Sequence, residues 1–335
     1  MSIIMSGGGT GGHLTIIKAV KEHLKSEDLI YIGSTSGQDK KWFGEDEQFS
    51  AKYFLPTRGV VNQGVIGKIK SIWLLLKATI KAIKILKKHK ASVVFSVGGF
   101  SSAPSAFASK ILRIPLVIHE QNASIGSLNR LLRPYSYTFI SSYLDESPIK
   151  AYPIKDIFFQ NAHIRKDIST IIFLGGSQGA RAINNLALDL APTLEDRGIK
   201  ILHQAGENNI DEVKKAYSEL GVKAEVFGFT TNLDEYMNEA DLAIARSGAS
   251  TLWELSATAL PSIFIPYPYA SSDHQYHNAK FLVEKDLAWV MREDEIESDK
   301  ILAIIESDLS KMSQGLMDIV EVDGSLKIAK VLTQI

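Results

Sequence analysis

Six short segments of this sequence carry the residue types that bind and move charge. Gly7 to His13 reads GGGTGGH and directly follows an apolar run, SIIMS. Glycines there let backbone N–H groups approach an anion or a sugar closely, helped by the positive end of a following helix. His13 stands where that turn would meet the helix, and a side chain there can point into a cleft. Its chemistry would be proton transfer; the alternatives are a helix cap or a satisfied surface histidine. The spacing of Gly7, Gly9 and Gly12 satisfies GxGxxG, the dinucleotide fingerprint. That motif wants an acid at the end of the second strand to hold a ribose, whereas here LIYI runs into Gly33, Ser34 and Thr35.

Two more segments of the first half follow apolar runs in the same way. GGFSSAPS at 98–105 comes after ASVVFSV, and HEQN at 119–122 comes after PLVI. Both fall where parallel strands should end, which is where open α/β sheets bind ligands. The tetrad offers His119, Glu120, Gln121 and Asn122, residues suited to sugar hydroxyls and proton transfer or, for Asn122, to capping the next helix. In the second half GGSQGA at 175–180 repeats the glycine turn, and its amides with Ser177 could hold a diphosphate without a metal. RSGASTLWE at 246–254 puts Glu254 about one helical turn past another such turn, where a carboxylate can accept both hydroxyls of a ribose. IPYPYASSDHQYHNA at 265–279 offers His274 and Gln275 to sugar or phosphate, leaves Asn278 to hold the loop, and gives Asp273 the position of an N-cap. No DxD, HExxH or suitably spaced carboxylate cluster implies a metal.

These segments need elements that all end at one edge. Short apolar runs alternate with helical patterns: SIIMS, LIYIG, ASVVFSV and PLVIHE, then TIIFLGG, KILHQAG, AEVFGF, LAIARSG and SIFIPYP. This is the βαβ rhythm of a parallel doubly wound sheet. It restarts after a stretch rich in proline and aromatics, Tyr143 to His163. Two Rossmann-like domains are therefore expected, with the boundary near 150–165. The length of 335 residues agrees, at about 150 residues per domain. A last helical stretch, about Met312 to Leu332, fits either domain.

The net charge of −1 hides an asymmetry: residues 1–150 hold 20 Lys+Arg against 10 Asp+Glu, and residues 151–335 hold 17 against 28. No acid lies between Glu47 and Glu120, so the first half carries a field that attracts polyanions or an anionic membrane surface. Within it Lys70, Lys77, Lys81, Lys84 and Lys88 share one face of a helix expected over 68–90. Ile69, Ile72, Trp73, Leu76, Ile80 and Ile83 form the opposite face and read as core. That leaves Leu74, preceded by Val65 and Ile66, as the apolar group on the basic side. The absence of cysteine excludes disulfides, thiol nucleophiles and cysteine-ligated metals. MSIIMSGGG lacks the basic lead and apolar length of a signal peptide, and Ala91 to Ser109 is broken by Gly98, Gly99 and Pro104. No membrane-spanning segment is expected, and a cytoplasmic location is the default.

Taken together and in this order, GGGTGGH, GGFSS, HEQN, GGSQGA, RSGAST…E and DHQxxNA cover most of the chain. They resemble the MurG family, bacterial transferases that move N-acetylglucosamine from its UDP donor to the lipid-linked muramyl pentapeptide, lipid I. The resemblance implies an α/β GT-B fold, with two Rossmann-like doubly wound parallel-sheet domains facing across a cleft. An acceptor and membrane-associating domain would cover 1–155 and a UDP-sugar domain 156–311, with a helix over 312–335 packing back on the first. The implied partners are UDP-N-acetylglucosamine, lipid I and an anionic membrane surface at the cytoplasmic face of the plasma membrane, with no nucleic acid, metal or cofactor. By motif, Thr10, Gly11, Gly12, His13 and Asn122 resemble contacts to donor sugar and acceptor. Arg165, Ser177, Phe229, Thr230, Ala249, Ser250, Glu254 and Gln275 resemble the UDP and donor-sugar shell, with Phe229 and Thr230 beside uracil. The chain departs from the pattern in three places: no proline soon after GGTGGH, Ala162 and His163 where asparagine–proline is usual, and His274 with Gln275 for paired glutamines. The implied reaction is attack by the muramyl C4 hydroxyl on the anomeric carbon, displacing UDP with inversion to a β-1,4 link. His13, with an ordinary pKa near 6.5, would be the base and Glu120 its rival. A UDP-N-acetylglucosamine epimerase of the same fold is the alternative.

Overall fold

The computed structural model describes residues 2–59, 64–160, 162–176 and 179–335. The chain divides into two compact units, Met1–Ile154 with Glu321–Ile335, and Lys155–Val320. The first unit runs β1 (Ser2–Ser6), α1 (Gly11–Lys21), β2 (Asp28–Ser34), α2 (Asp39–Phe43), β3 (Phe49–Leu55), α3 (Val65–Lys88), β4 (Ala91–Ser96), α4 (Gly99–Leu112), β5 (Leu116–Glu120), α5 (Ser127–Leu132) and β6 (Thr138–Ser141). Its six strands are all parallel in the order β3-β2-β1-β4-β5-β6. Helices cover both faces, so the central strands are apolar almost throughout, and every residue of SIIMS and LVIHE is buried. On one face Ile4, Ile30, Val94 and Ile118 meet Ala78, Ala82 and Leu86 of α3 and Ala106 of α4.

Helix α3 corrects the sequence expectation. The side buried against the unit is Ser71, Ala78, Thr79, Ala82, Ile85 and Leu86, mostly small residues that let α3 lie close along α4. The large apolar residues expected in the core face outward instead: Ile69 is 64% exposed, Trp73 54%, Leu76 59%, and Ile72 and Ile80 are also exposed. Leu74 and Ile83 are half-buried. The size of an apolar side chain favoured the wrong stripe, because close helix packing is limited by bulk at the contact.

The second unit runs α6 (Asp156–Gln160), β7 (Thr170–Leu174), α7 (Arg181–Asp196), β8 (Lys200–Gln204), α8 (Ile210–Leu220), β9 (Ala224–Phe227), α9 (Leu233–Glu239), β10 (Leu242–Ala245), α10 (Ala249–Ala257), β11 (Ser262–Phe264), α11 (His274–Val283), β12 (Trp289–Val290), α12 (Ser298–Ile305) and α13 (Ser310–Ile319). Its parallel sheet has the order β12-β11-β10-β7-β8-β9, which is the order of the first unit when counted from its own first strand. Ile171, Phe173, Ile201, Ile244 and Ile263 pack on Ile183, Leu186 and Leu190 of α7 and on Ile301 and Ile305 of α12. The apolar runs of the sequence did not mark β3, β6 or β12; all three are edge strands, and edges carry less burial to leave an apolar signature.

The stretch 312–335 is not one helix. Its first part belongs to α13, in the second unit, and the chain breaks at Val320 to Asp323 before α14 (Gly324–Thr333) packs on α1 in the first. The hydroxyl of Ser325 donates to Ile154 O (3.0 Å), and a Cβ on Gly324 would lie 2.5 Å from Tyr152 O, so α14 sits tightly against the end of the first unit's main segment. Among the described residues no helix is long and apolar enough to cross a membrane.

Candidate functional site

In each sheet the strand order reverses once, between β1 and β4 in the first unit and between β7 and β10 in the second. The turns leaving those strands diverge and open a crevice at the carboxyl edge. In the first unit the two turns are GGGTGGH and GGF. Gly9 holds φ +84 and Gly98 φ +88, conformations that a side chain would strain, and a Cβ on Gly98 would meet Asn129 Nδ2 at 2.8 Å. Thr10 is the N-cap of α1 by position, but its hydroxyl caps no backbone group and lies 3.0 Å from His13 Nδ1. Gly11 and Gly12 are the first two helical residues and His13 the third. The other ring nitrogen, Nε2, faces the Gln121 amide nitrogen at 3.2 Å. In the tautomer with its proton on Nδ1, the ring donates to the Thr10 hydroxyl and accepts from the Gln121 amide at Nε2. The imidazole is half-buried and clamped from both sides.

The HEQN tetrad divides by depth. His119 is fully buried in β5, edge-on to Tyr152, and among the described residues neither ring nitrogen meets a hydrogen-bonding group. Burial, and secondarily the charge of His13, pulls its pKa down to about 3, so it stays neutral. His203 in the second unit is the contrast, buried but satisfied by Tyr217 Oη (2.9 Å) and Asn184 Oδ1 (3.0 Å). Glu120 is also buried, and both its oxygens are occupied. Asn122 N donates to Oε1 (3.0 Å), and Gly126 N and Asn129 Nδ2 donate to Oε2 (both 2.9 Å). Burial raises its pKa and these bonds oppose the rise. Its carboxyl folds the loop that carries Asn122, which is half-exposed.

In the second unit the candidate residues follow four strands, β9, β7, β10 and β11, that lie within five neighbouring strands. After β9, Phe229 is exposed, its N–H donating to Glu207 Oε1 (2.7 Å), and the Thr230 hydroxyl accepts from Asn232 N (3.1 Å). After β7, Gly175 and Gly179 are packed so closely that a Cβ would lie 2.8 Å from Ala180 N and 2.4 Å from Ala205 O. Ser177 lies outside the described residues. After β10, Gly248 caps α10, with Ala249 and Ser250 as its first helical residues, and Asn278 Nδ2 holds the loop through Ser247 O (3.2 Å). Glu254 is half-buried on α10, and desolvation pushes its pKa up to about 8 against the attraction of Lys155. After β11, Gln275 Oε1 accepts from Tyr267 N (2.9 Å), and His274 Nδ1 faces Ser271 O (2.8 Å). Strands about 4.8 Å apart put ~19 Å between the ends of β9 and β11, a span suited to an extended nucleoside diphosphate.

Residues 3–139 match the glycosyltransferase family 28 N-terminal domain, and residues 170–325 match the family 28 C-terminal domain. This chain belongs to glycosyltransferase family 28. It is 70% identical over 332 residues, 99% of this chain and 98% of the relative, to the UDP-N-acetylglucosamine:N-acetylmuramyl-(pentapeptide) pyrophosphoryl-undecaprenol N-acetylglucosamine transferase of Sulfurovum sp. (strain NBC37-1). It is 55% identical over 320 residues, 95% of this chain and 94% of the relative, to the protein of that name from Sulfurimonas denitrificans. The structure of Acinetobacter baumannii MurG superposes with a TM-score of 0.82 over 100% of this chain and 99% of that one, at 24% identity, and shows the same GT-B fold.

Two residues of this family 28 glycosyltransferase are not what their sequence positions suggest. Arg165, expected in the diphosphate shell, is buried, and its guanidinium donates to the carbonyls of Met237 (3.0 Å), Ala240 (3.0 Å), His163 (2.9 Å) and Thr258. Met237, Ala240 and Thr258 end α9 and α10, where four carbonyls lack helical partners and a cation is favoured. Arg165 thus ties two helix ends together. Asp273 holds the N-cap position of α11 without capping it; its carboxylate pairs with Arg292 (2.7 Å). Arg246, which no motif role singled out, binds Ile265 O (3.0 Å) and Pro266 O (3.1 Å) and so fixes the β10 turn to the end of β11.

Replacing Arg165 by methionine should cost about 3 kcal/mol or more, because buried carbonyls lose a charged donor. Urea unfolding would measure that loss, and UDP affinity of the folded variant by calorimetry should stay within about twofold. Parent-like stability with UDP binding lost would return Arg165 to the ligand shell.

Proposed function

We infer that this glycosyltransferase transfers N-acetylglucosamine from UDP-N-acetylglucosamine to the C4 hydroxyl of the muramyl sugar of lipid I, giving lipid II with inversion to a β-1,4 link. The observation that carries this is the 70% identity, across 99% of the chain, to the transferase of that name. The residue roles rest on geometry. His13 is the base: the acceptor hydroxyl takes the place of the Gln121 N–H at Nε2 and gives up its proton there. Its oxygen then attacks the anomeric carbon as the bond to UDP breaks and the diphosphate leaves with the electron pair. The helix starts after β7 and β10 face the departing charge with backbone N–H groups. Glu254 accepts the ribose hydroxyls, and Phe229 and Thr230 border the base.

The lipid-linked acceptor brings the enzyme to a bilayer surface, at the cytoplasmic face of the plasma membrane, and α3 supplies the contact. Its outward stripe of Ile69, Ile72, Trp73, Leu76 and Ile80 runs beside Lys70, Lys77, Lys81 and Lys84, with Lys77 Nζ 3.4 Å from the centre of the Trp73 ring. Apolar side chains entering the interface contribute about 1.5–3 kcal/mol each when fully buried, and each lysine near anionic lipid about 1 kcal/mol.

His13→Ala should lower turnover by roughly 10²–10⁴ with donor binding nearly unchanged, in a steady-state assay of UDP release. Near-normal turnover would remove His13 as the base. A ribose whose two hydroxyls both donate to Glu254 needs that group ionised, and it is mostly protonated at neutral pH with a pKa of about 8. UDP affinity should therefore rise about tenfold between pH 7 and 9 in the parent and stay flat in Glu254→Gln. Calorimetry across that range is the check. Vesicle co-sedimentation should require anionic lipid, weaken with salt, and drop in a folded Ile69→Ser, Trp73→Ser, Leu76→Ser variant. If that variant sediments like the parent, the membrane contact is elsewhere.

A further inference from the structure

The first glycine turn has the shape that other doubly wound domains offer to a phosphate, yet its anion is already in place. Asp39, the first residue of α2, is fully buried beneath the turn. Gly9 N donates to its Oδ2 (2.7 Å), while Ser34 N (2.8 Å) and the Ser101 hydroxyl (2.7 Å) donate to Oδ1. The Tyr31 hydroxyl shares one proton between Gly7 O (2.7 Å) and Asp39 Oδ1 (3.1 Å). One carboxyl group thus joins the turn after β1, the end of β2 and the start of α4. The glycines make room for it: a Cβ on Gly8 would lie 2.2 Å from Oδ1, and one on Gly33 would lie 2.7 Å from it. Gly9, the residue that Asp39 grips, immediately precedes Thr10, whose hydroxyl holds His13 Nδ1.

We propose that Asp39 is a positioning residue for the transfer: it serves as the resident anion of the first glycine turn and fixes the backbone from which Thr10 and His13 project. The inference rests on His13 as the base and adds what holds that base in register.

The test is Asp39→Ala, in which the carboxylate is removed and a small anion can take its place. Turnover should fall about 100-fold, the scale of an ångström-sized misplacement of a reacting group. KM for UDP-N-acetylglucosamine should stay within about twofold, and formate should restore turnover at least about tenfold while chloride does not. In a His13→Ala background the same substitution should cost less than about threefold, because the group it positions is gone. Turnover within threefold of the parent, a proportional rise in donor KM, an undiminished fall in the His13→Ala background, or no response to formate would each overturn the proposal. If Asp39→Ala does not fold, Ser101→Ala removes one donor and should reproduce the selective loss of kcat at about three- to tenfold; parent-like kcat there counts against it. His13→Ala alone keeps the two readings apart: parent-like turnover in it removes the base assignment, and parent-like turnover in Asp39→Ala removes this one.

Discussion

An all-parallel sheet obliges every connection to return across a face before the next strand can begin, so all strand carboxyl ends collect on one edge. Each unit here obeys that constraint with the same strand order, and each reverses direction once, beside its first strand. At the reversal the neighbouring turns part company, and two helix starts are brought to the carboxyl edge of each sheet. The glycine turns, the half-exposed His13, the strand-end row from Phe229 to Gln275 and the demand for close-packed glycines all follow from that one arrangement.

Buried polar groups then decide what each crevice can do. In the first unit two carboxyl groups are spent inward, Asp39 on the glycine turn and Glu120 on the loop around Asn122. In the second, the guanidinium of Arg165 is spent on helix ends and that of Arg246 on two strand-end carbonyls. Such groups fix the backbone around a site from beneath it. Their cost of burial is offset because nearly every lone pair or N–H they bring finds a partner. Among the described candidates not fully buried are Thr10, His13 and Asn122 in the first unit, and Thr230, Glu254 and Gln275 in the second.

The sequence announced the turns better than the side chains around them. Glycine turns after apolar runs locate the ends of β1, β4 and β7, where positive φ at Gly9, Gly98, Gly176 and Gly179 favours glycine, while HEQN and IPYPYASSD mark the ends of β5 and β11 without one. The direction of a polar side chain leaves no such trace. Glu120 and Asn122 are two residues apart and face opposite fates, one bonded into a loop and one half-exposed. The missing acid at Gly33 was present after all, six residues on, at Asp39, folded back beneath the turn where only contact in space reveals it. On α3 the apolar pattern was legible and its orientation was not, since small residues took the packed side and left Trp73 and its neighbours outward.

Helix α14 has a consequence for how this chain is made. Residues 321–335 complete the first unit by covering α1, yet they are synthesised only after the whole of residues 155–320. On the ribosome the second unit is therefore the first to be finished, while the first waits with the apolar side of α1 bare. Changes in residues 321–335 therefore act on the folding of residues 1–154, more than 160 positions away in the chain.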